Sequence, residues 1–558
     1  MHTWNGFWMI GVGLKCSSPA VVEEFFQLFK TPWEFFRRDT HYSAVITEDA
    51  DLVSADSRLI VVMESDFGEK VAGSRNGCRS PVLVETDDLI FPVYSGVKKI
   101  HGDTSFLVIQ ETGESVGSRS CGSGRTVLKI GLNLFQEAEY LLVDGQPAEF
   151  AEYPTLDIHI ANLRRWMIAS GSPVIEIPPV PDGHKFFVFL SHDVDFAGIK
   201  NHKLDRTLAG FTYRAMASST KKCLSGALPL RGMIRNWLAV ASLPLVYTDL
   251  VHDFWHKFGE YTELEKGAGS TFFIVPFKGK PGRIGDTSAP SKRAVKYEAD
   301  DLGAAIATLL AQGNEVGVHG IDSWHDIDRA RQERRKIEKL TGRSNIGIRM
   351  HWLYFSPESP AILDEAGYAF DSTCGYNEKI GCRAGTLQVF KPLNAGHLLE
   401  LPLHIMDTAL FYPDRMNLTM AEGLEAIKLF SLNAVSFGGV LTMNWHHRSI
   451  APERLWDGVY RDALRHLRSE GGKLATAGTV IEWFRKRRAA VFDRVIYKNS
   501  TVQVKFAEKV GSLDGLVLRA HQPCRGMPAG KAGLDPTSNY RDCPVAGQSQ
   551  VTVSLSPG

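Results

Sequence analysis

The sequence predicts an α/β protein built on a distorted (β/α)7-type barrel, with an N-terminal strand-rich α+β domain and a small C-terminal β appendage. First, short apolar runs alternate with helical stretches between residues 185 and 490, which is typical of parallel β/α units. Second, polar clusters follow several of these runs, and barrel strands carry reactive groups at their carboxyl ends. The predicted strands are 186–190, 270–275, 315–319, 346–350, 369–372, 398–403 and 440–444. The predicted helices include 247–265, 299–312, 327–341, 357–366, 418–433 and 452–469.

The flanking regions differ from the barrel in composition. Residues 1–150 combine one helical stretch with short strand candidates separated by Gly- and Ser-rich segments, so we expect an accessory domain without a catalytic cluster. Residues 151–184 contain a helix and then a linker whose prolines favour extended backbone. The barrel, 185–490, carries an insert at 196–244, and residues 491–558 form the small C-terminal β region.

The composition excludes some classes of function. The 63 Lys and Arg residues balance the 63 Asp and Glu residues among 558, so no global charge indicates a nucleic-acid partner. The eight cysteines form no Cys-x-x-Cys pair, which gives a thiolate zinc site little support and fits a reducing compartment.

The location of the protein is predicted from two absences in the sequence. The apolar run at 7–14 has no preceding Lys or Arg and no clear cleavage site, so it does not fit a signal peptide. No uncharged apolar stretch approaches the roughly 20 residues that a spanning helix needs. We therefore expect a cytoplasmic protein, and the insert leaves membrane association open.

The insert at 196–244 is strongly basic. One interpretation is a solvated flap over the barrel, and the other is contact with an anionic glycan, a lipid phosphate or a membrane surface. Its only acidic residue is Asp205, and apolar Trp237 and Leu238 lie near its end. Its basic residues are Lys200, Lys203, Arg206, Arg214, Lys221, Lys222, Arg231 and Arg235.

The first barrel strand ends in His192-Asp193-Val194-Asp195. Asp193 and Asp195 are two positions apart, so both carboxylates face one side of an extended chain. They repel each other unless a cation or a shared proton lies between them. Capping and turn formation are the alternative role for such acidic residues.

Three more predicted strand ends carry polar groups. Four such clusters, each at the end of a strand of one barrel, are hard to explain by chance. The segments are 316–326 with His319, Asp322 and His325, 347–354 with Arg349 and His351, and 441–447 with His446 and His447. Together the four ends offer carboxylate, imidazole and guanidinium groups, which are the parts of a metal-assisted hydrolase.

These motifs resemble the polysaccharide deacetylases with a NodB-homology domain, related to carbohydrate esterase family 4. The segment 192–195 resembles the first motif of a variant subgroup in which His-Asp-Val-Asp replaces Thr-Phe-Asp-Asp. Ser-Thr-Phe-Phe at 270–273 resembles the second strand of the family, and the segments 371–376 and 381–386 resemble a stretch of the same subgroup.

The resemblance implies a role for each matching residue. Asp193 corresponds to the catalytic base, Asp195 to a metal-binding carboxylate and His319 to the first metal-binding histidine. His446 corresponds to the histidine that protonates the leaving amine, and Arg349 to the arginine that orients the base. The implied cofactor is a divalent metal, with zinc as the expected ion, and the implied substrate is an N-acetylated glycan.

The second metal-binding histidine departs from the family pattern, because position 323 is Ser where His-x-x-x-His would place a histidine. We take His325 as the third ligand, with Asp322 and His351 as competitors.

The predicted function is the removal of N-acetyl groups from a polysaccharide or a lipid-linked glycan precursor. The alternatives are hydrolysis of a small, cyclic amide on the same barrel and glycan binding at a degenerate site. Trp352, Tyr354 and Trp445 are candidates for stacking on sugar rings, and core packing is the competing role for such aromatic residues.

Overall fold

The structure, a computed structural model, describes residues 6–64, 81–86, 89–102, 104–122, 124–285, 287–498, 501–507, 513–522, 540–545 and 550–555. Its first part contains strands β1 to β10 and helices α1 to α3. The strands are β1 (Gly6–Phe7), β2 (Ile10–Gly13), β3 (Trp33–Phe35), β4 (Tyr42–Thr47), β5 (Ser57–Met63), β6 (Val82–Glu85), β7 (Ile90–Val93), β8 (Thr104–Ile109), β9 (Ser115–Gly122) and β10 (Arg125–Ile130). The helices are α1 (Pro19–Phe29), α2 (Leu134–Val143) and α3 (Thr155–Ala169).

Most of these strands form one mixed sheet in the order β3-β2-β4-β5-β10-β9-β8-β6-β7. The pairs from β3 to β10 are parallel, and the pairs from β10 to β7 are antiparallel. Helix α1 begins with Pro19, at a position where a backbone N–H would have no partner within the helix. The C-cap residue Lys30 follows the helix, and its φ of 52° is left-handed. Its apolar residues, spaced at helical intervals, are buried in the core.

The central part contains strands β11 to β22. They are β11 (Val174–Glu176), β12 (Phe186–Val194), β13 (Thr271–Ile274), β14 (Arg283–Ile284), β15 (Thr287–Ser288), β16 (Glu315–Gly320), β17 (Gly347–Met350), β18 (Phe370–Asp371), β19 (Leu399–Glu400), β20 (Ile405–Met406), β21 (Val440–Asn444) and β22 (Gly472–Ala475).

Its helices are α4 to α15. They are α4 (Arg206–Tyr213), α5 (Ser219–Leu224), α6 (Leu230–Ala241), α7 (Leu243–Tyr247), α8 (Phe258–Leu264), α9 (Gly303–Ala311), α10 (Ile327–Thr341), α11 (Ser359–Glu365), α12 (Asp407–Phe411), α13 (Met420–Phe437), α14 (Asp457–Ser469) and α15 (Ala477–Ala489).

The barrel strands lie in the order β19-β18-β17-β16-β13-β12-β21-β20, and every pair is parallel. Strands β19 and β20 are four residues apart in the chain and lie at opposite ends of this order, so a single short segment links the two ends of the sheet. The predicted α/β fold with a parallel, barrel-like sheet is confirmed. The first five residues of β12 are apolar on both faces, as expected for a strand of a parallel sheet that is buried along its whole length.

The C-terminal strands are β23 (Phe492–Lys498), β24 (Thr501–Phe506), β25 (Val517–His521), β26 (Tyr540–Pro544) and β27 (Gln550–Ser554). They pair with strands that precede the barrel, in the orders β1-β23-β24-β27 and β11-β25-β26. One apolar cluster runs from Trp8 through Phe187 and Phe189 of β12 to Val553. The C-terminal region is therefore integrated with the N-terminal part instead of projecting from the barrel.

The basic insert is helical. Helices α4 to α7 and a π-helix at Arg214–Ser218 pack around a small separate core that includes Phe211, Ala239 and Trp255. In the part of the chain that the structure describes, no helix combines the length and the apolar composition required to traverse a lipid bilayer.

Candidate metal and catalytic site

The site begins at the carboxyl end of β12, where the two carboxylates lie on the same side of the strand. Asp193 and Asp195 face the cleft, while the His192 ring between them packs on Tyr261 and Phe272. The Nδ1 atom of His192 lies 2.7 Å from the carbonyl oxygen of Trp445, so this histidine has a structural role. Successive side chains of a strand point to opposite faces, so the two carboxylates lie on one face and His192 lies on the other.

Asp193 is held at both of its oxygens. Arg349 donates from Nη1 to Oδ1 at 3.0 Å, and Asn444 donates from Nδ2 to Oδ2 at 2.8 Å. Burial disfavours the charged form of Asp193, but Arg349, followed by His319 and His446, outweighs burial and lowers the pKa below its usual value. Asp193 is therefore an ionised, oriented carboxylate at neutral pH.

Arg349 is itself fixed by its neighbours. Its guanidinium donates to the Ser372 carbonyl oxygen at 3.0 Å and to the hydroxyls of Ser372 and Ser191, each at 2.8 Å. It lies 4.5 Å from the centre of the Phe273 ring. These contacts fix the orientation of the guanidinium, which points toward Asp193.

Asp195 meets two histidines at one oxygen. Its Oδ1 atom lies 3.2 Å from Nε2 of His319 and 3.5 Å from Nε2 of His351. His319 places Nδ1 3.0 Å from the carbonyl oxygen of Arg349, which can only accept, so Nδ1 carries the proton. Nε2 of His319 therefore faces the carboxylate oxygen of Asp195, and a proton or a metal ion between the two atoms makes this contact favourable.

These three residues fit a divalent metal ion. Their ligand atoms all lie within 4.8 Å of one another. Tetrahedral zinc with bonds of about 2.0–2.1 Å separates its ligand atoms by about 3.4 Å, close to both distances at Asp195. Oδ1 of Asp195 is buried and accepts no hydrogen bond of good geometry from the described residues. Burial lowers the pKa of His351 to about 3, so its imidazole is neutral and able to coordinate.

The predicted third ligand does not lie in this cluster. The structure places His325 beside Asp322, with Nε2 3.3 Å from Oδ1, and groups Asp195 and His319 with His351. Ser323, at the position where the family pattern expects histidine, donates its hydroxyl to Glu333 at 2.7 Å. His351 directly follows β17, the strand beside β16 that carries His319, so neighbouring strand ends bring the two rings to 4.8 Å.

His446 lies on the opposite side of Asp195, with Nε2 3.7 Å from Oδ2. Asp407 holds it twice, because Oδ2 accepts the backbone N–H of His446 at 2.7 Å and Oδ1 lies 2.6 Å from Nδ1. Burial opposes the charged form, but Asp407, followed by Asp195 and Asp193, raises the pKa of His446 to about 9. The imidazole is therefore a protonated acid at neutral pH.

The segment after His351 turns sharply. Trp352 and Leu353 have φ angles of 65° and 53°, both in the left-handed region that side chains disfavour. Buried Arg293 holds the turn by donating to the His351 carbonyl oxygen at 2.8 Å, and it stacks 4.3 Å from the Tyr354 ring centre. Trp352 and Tyr354 remain partly exposed with ring centres 6.2 Å apart, so both can meet a sugar.

Trp445 is placed differently from the other predicted aromatic contacts. Its side chain is fully buried, 5.2 Å from the Tyr460 ring and 5.9 Å from the Phe411 ring. No face of the ring is open to a sugar, so the structure supports the alternative role, core packing.

Three residues of the site lie outside the sequence-based prediction. Asp407 follows the apolar pair Ile405-Met406 of β20, and an acidic residue after an apolar pair is the signal that could have found it. Asn444 ends β21, within a polar cluster that the sequence analysis noted without assigning this amide a role. Arg293 lies in a short 3-10 helix far from any barrel strand end, and no local signal marks it.

Comparisons with known proteins give structural neighbours. No protein-family model and no curated protein matches the chain. The solved structure of Agd3, a carbohydrate deacetylase, is 10% identical over 99% of this chain and 99% of that chain, with a TM-score of 0.37. PuuE allantoinase is 12% identical over 54% of this chain and 91% of its own, with a TM-score of 0.33.

A third neighbour is the family 4 carbohydrate esterase from Streptomyces lividans. It is 9% identical over 53% of this chain and 92% of its own, with a TM-score of 0.24. Carbohydrate deacetylases and family 4 esterases are thus among the solved structures that this chain is similar to.

Proposed function

We propose that this chain is a metal-dependent hydrolase that removes N-acetyl groups from a glycan. The observation that carries the proposal is the convergence of Asp195, His319 and His351 between an ionised Asp193 and a protonated His446. These groups supply a metal site, a base and an acid within one cleft. The resemblance of 192–195 to the deacetylase motif supports an N-acetyl substrate.

Asp193 takes the role of base. Arg349 and Asn444 each occupy one of its oxygens with a single hydrogen bond, and each carboxylate oxygen has a further lone pair for a proton from water. The two donors fix the plane of the Asp193 carboxylate, so Asp193 accepts the proton of water from one direction. Water adds to the amide carbon as Asp193 takes its proton.

His446 takes the role of acid. Asp407 fixes Nδ1 and the backbone N–H, which leaves the protonated Nε2 free to face the cleft. Protonation of the amide nitrogen allows the C–N bond to break, so the products are acetate and a free amine. Asp407 thus has the positioning role that an orienting carboxylate has in other catalytic triads.

Asp195, His319 and His351 would hold the divalent ion. When bound, such an ion lowers the pKa of water and polarises an amide carbonyl. Two imidazoles and one carboxylate match the donor set of catalytic zinc sites, which keep one position open. Asp195 is partly exposed, so an ion held by these three residues would be accessible from solvent.

The proposal is tested by acetate release from oligomers of N-acetylglucosamine and N-acetylgalactosamine. We expect release by the purified chain, loss of release with a chelator, and recovery on addition of zinc. The Asp193→Asn variant is the matched control, and we expect it to bind zinc normally and release no acetate above background.

Two results would contradict the proposal. Ring opening of a cyclic amide without any acetate release would favour the small-molecule amide hydrolase. Tight oligosaccharide binding by a zinc-loaded chain that cleaves no amide would favour a glycan-binding protein.

A further inference from the structure

The surface of the basic insert concentrates exposed apolar side chains. Of the 17 large apolar residues that are exposed among the described residues, eight lie within the insert and three more lie directly after it, up to Val251. Patches of this kind on a folded protein mark a surface that is covered by a partner or a membrane.

Helix α6 presents a complete apolar face to solvent. Leu230, Ile234, Trp237 and Leu238 are spaced as neighbours on one face of a helix, and they are 61%, 46%, 43% and 63% exposed. The opposite face carries Gly232, Asn236 and Ala239, which are buried against the protein. The helix therefore packs through small residues and directs its large apolar residues outward.

Basic side chains border this face. Arg231 and Arg235 are one helical turn apart at its edge, and both are exposed. Lys203, Arg206, Lys221 and Lys222 are exposed on the same insert, and none of them forms a salt bridge with the described residues. Asp205 is already engaged, because it caps α4 through the Leu208 N–H and lies 2.8 Å from His202.

We propose that the apolar face of α6 inserts into the interface of a lipid bilayer that carries anionic headgroups. Long basic side chains at the edge of an apolar face reach the headgroups while the face enters the acyl region. A second copy of the chain fits less well, since a self-complementary contact would bring two copies of the same basic helix together, and α6 carries no acidic residue to pair with Arg231 or Arg235. The proposal does not depend on the proposed function.

Helix α6 is hydrogen-bonded to the loop that follows His446. Asn236 of α6 accepts the backbone N–H of Glu453 at 2.6 Å, and Arg214 of the insert pairs with the same Glu453 at 2.8 Å. A bilayer on α6 thus lies on the side of the barrel where β21 ends.

The test is co-sedimentation of the full chain with vesicles. One vesicle type is phosphatidylcholine alone, and the other contains phosphatidylcholine with phosphatidylglycerol. We expect binding to the second type that weakens as salt rises, since basic residues supply the attraction. We expect the Ile234→Gln/Trp237→Gln/Leu238→Gln variant to bind at least about tenfold more weakly, because the inserted apolar area is lost.

The chain offers a matched control elsewhere. Leu429 and Leu432 are exposed on α13, so Leu429→Gln/Leu432→Gln removes a similar apolar area and should bind vesicles normally. Circular dichroism and thermal unfolding establish that each variant is folded. The Arg231→Gln/Arg235→Gln variant should lose several-fold in affinity for the anionic vesicles.

A second measurement reports insertion directly. Vesicles with brominated acyl chains quench tryptophan that enters them, and Trp237→Phe should abolish the quenching while other tryptophans remain. The proposal is overturned if the folded wild-type chain ignores anionic vesicles, or if the α6 variant binds them as tightly as wild type. It is also overturned if the face instead dimerises the chain in sedimentation velocity without any vesicle binding.

Discussion

Asp407 binds His446 at two atoms, with Oδ2 2.7 Å from the backbone nitrogen and Oδ1 2.6 Å from Nδ1. The carboxylate therefore fixes both the position of the residue and the orientation of its ring. His446 cannot rotate away from Asp195 without losing one of these contacts.

We expect Asp407→Asn to lower kcat about a hundredfold or more with little change in KM, because a neutral amide no longer holds the imidazole as a protonated acid. Steady-state kinetics on an N-acetylated oligosaccharide gives the two constants. Zinc content should stay at the wild-type level, and an unchanged kcat would show that His446 acts without Asp407.

The third metal ligand is decided by a matched pair of histidine variants. We expect His351→Ala to weaken zinc binding at least about a hundredfold, since one of three ligands is lost. His325→Ala should bind zinc like wild type, because His325 pairs with Asp322 outside the cluster. Competition with a zinc-binding dye measures both affinities, and the reverse order would restore His325 as the ligand.

Substrate stacking is tested at Trp352. We expect Trp352→Ala to raise KM for an oligosaccharide about three- to tenfold with a smaller change in kcat, in keeping with the energy of one aromatic contact. Trp445→Phe should lower stability and leave KM unaltered, because Trp445 is enclosed in the core. Equal KM values in wild type and Trp352→Ala would remove this residue from the substrate site.

The N-terminal part contains a carboxylate that links stability to pH. Oε2 of Glu48 accepts the backbone N–H groups of Lys15, Cys16 and Ser17 at 2.7–3.1 Å, and Oε1 accepts from the Ser17 hydroxyl and from Asn133. Burial raises the pKa, but these hydrogen bonds outweigh it and lower the pKa to about 2. A lowered pKa in the folded state stabilises the protein above the pKa of the unfolded chain, about 4.3.

We expect Glu48→Gln to lower the free energy of unfolding by about 1–2 kcal/mol at pH 7, a value reduced to allow for solvent screening. The deficit should shrink as the pH falls from about 5 toward 2, because wild type then protonates Glu48. Denaturant unfolding at both ends of this range measures it, with Glu23→Gln on the exposed side of α1 as control. A deficit that is independent of pH would refute the linkage.

Much of the barrel was predictable from the sequence because its elements have strong local signals. Strand β21 spans Val440–Asn444 and helix α10 spans Ile327–Thr341, each with the predicted bounds. Helix α10 begins at Asp326, which caps two backbone N–H groups, and it ends before Gly342 with a φ of 67°. Such capping signals are local, so a single sequence contains them.

The differences arise where distant contacts decide the structure. Of the predicted strand 398–403 only Leu399–Glu400 forms a strand, β19, because Pro402 offers no N–H to a ladder, and β20 follows outside the predicted range. The predicted helix 247–265 is interrupted where Asp253 accepts the backbone N–H groups of Ile199, Lys200 and Trp255.

The predicted third metal ligand, His325, differs from His351 of the structure for the same reason. Closeness along the chain favoured His325, whereas the parallel pairing of β16 and β17 sets His319 opposite Arg349 and so brings His351 to the metal cluster. No local sequence pattern predicts which residues of β16 and β17 lie opposite each other.

The pairing of β1 and β11 with strands beyond residue 490 has a consequence for how the protein evolves and unfolds. A fragment limited to 185–490 would leave Phe187 and Phe189 without the neighbours that shield them. The barrel is therefore not a self-sufficient module in this chain, and proteolytic trimming at either end should release a remnant that aggregates through its exposed apolar surface.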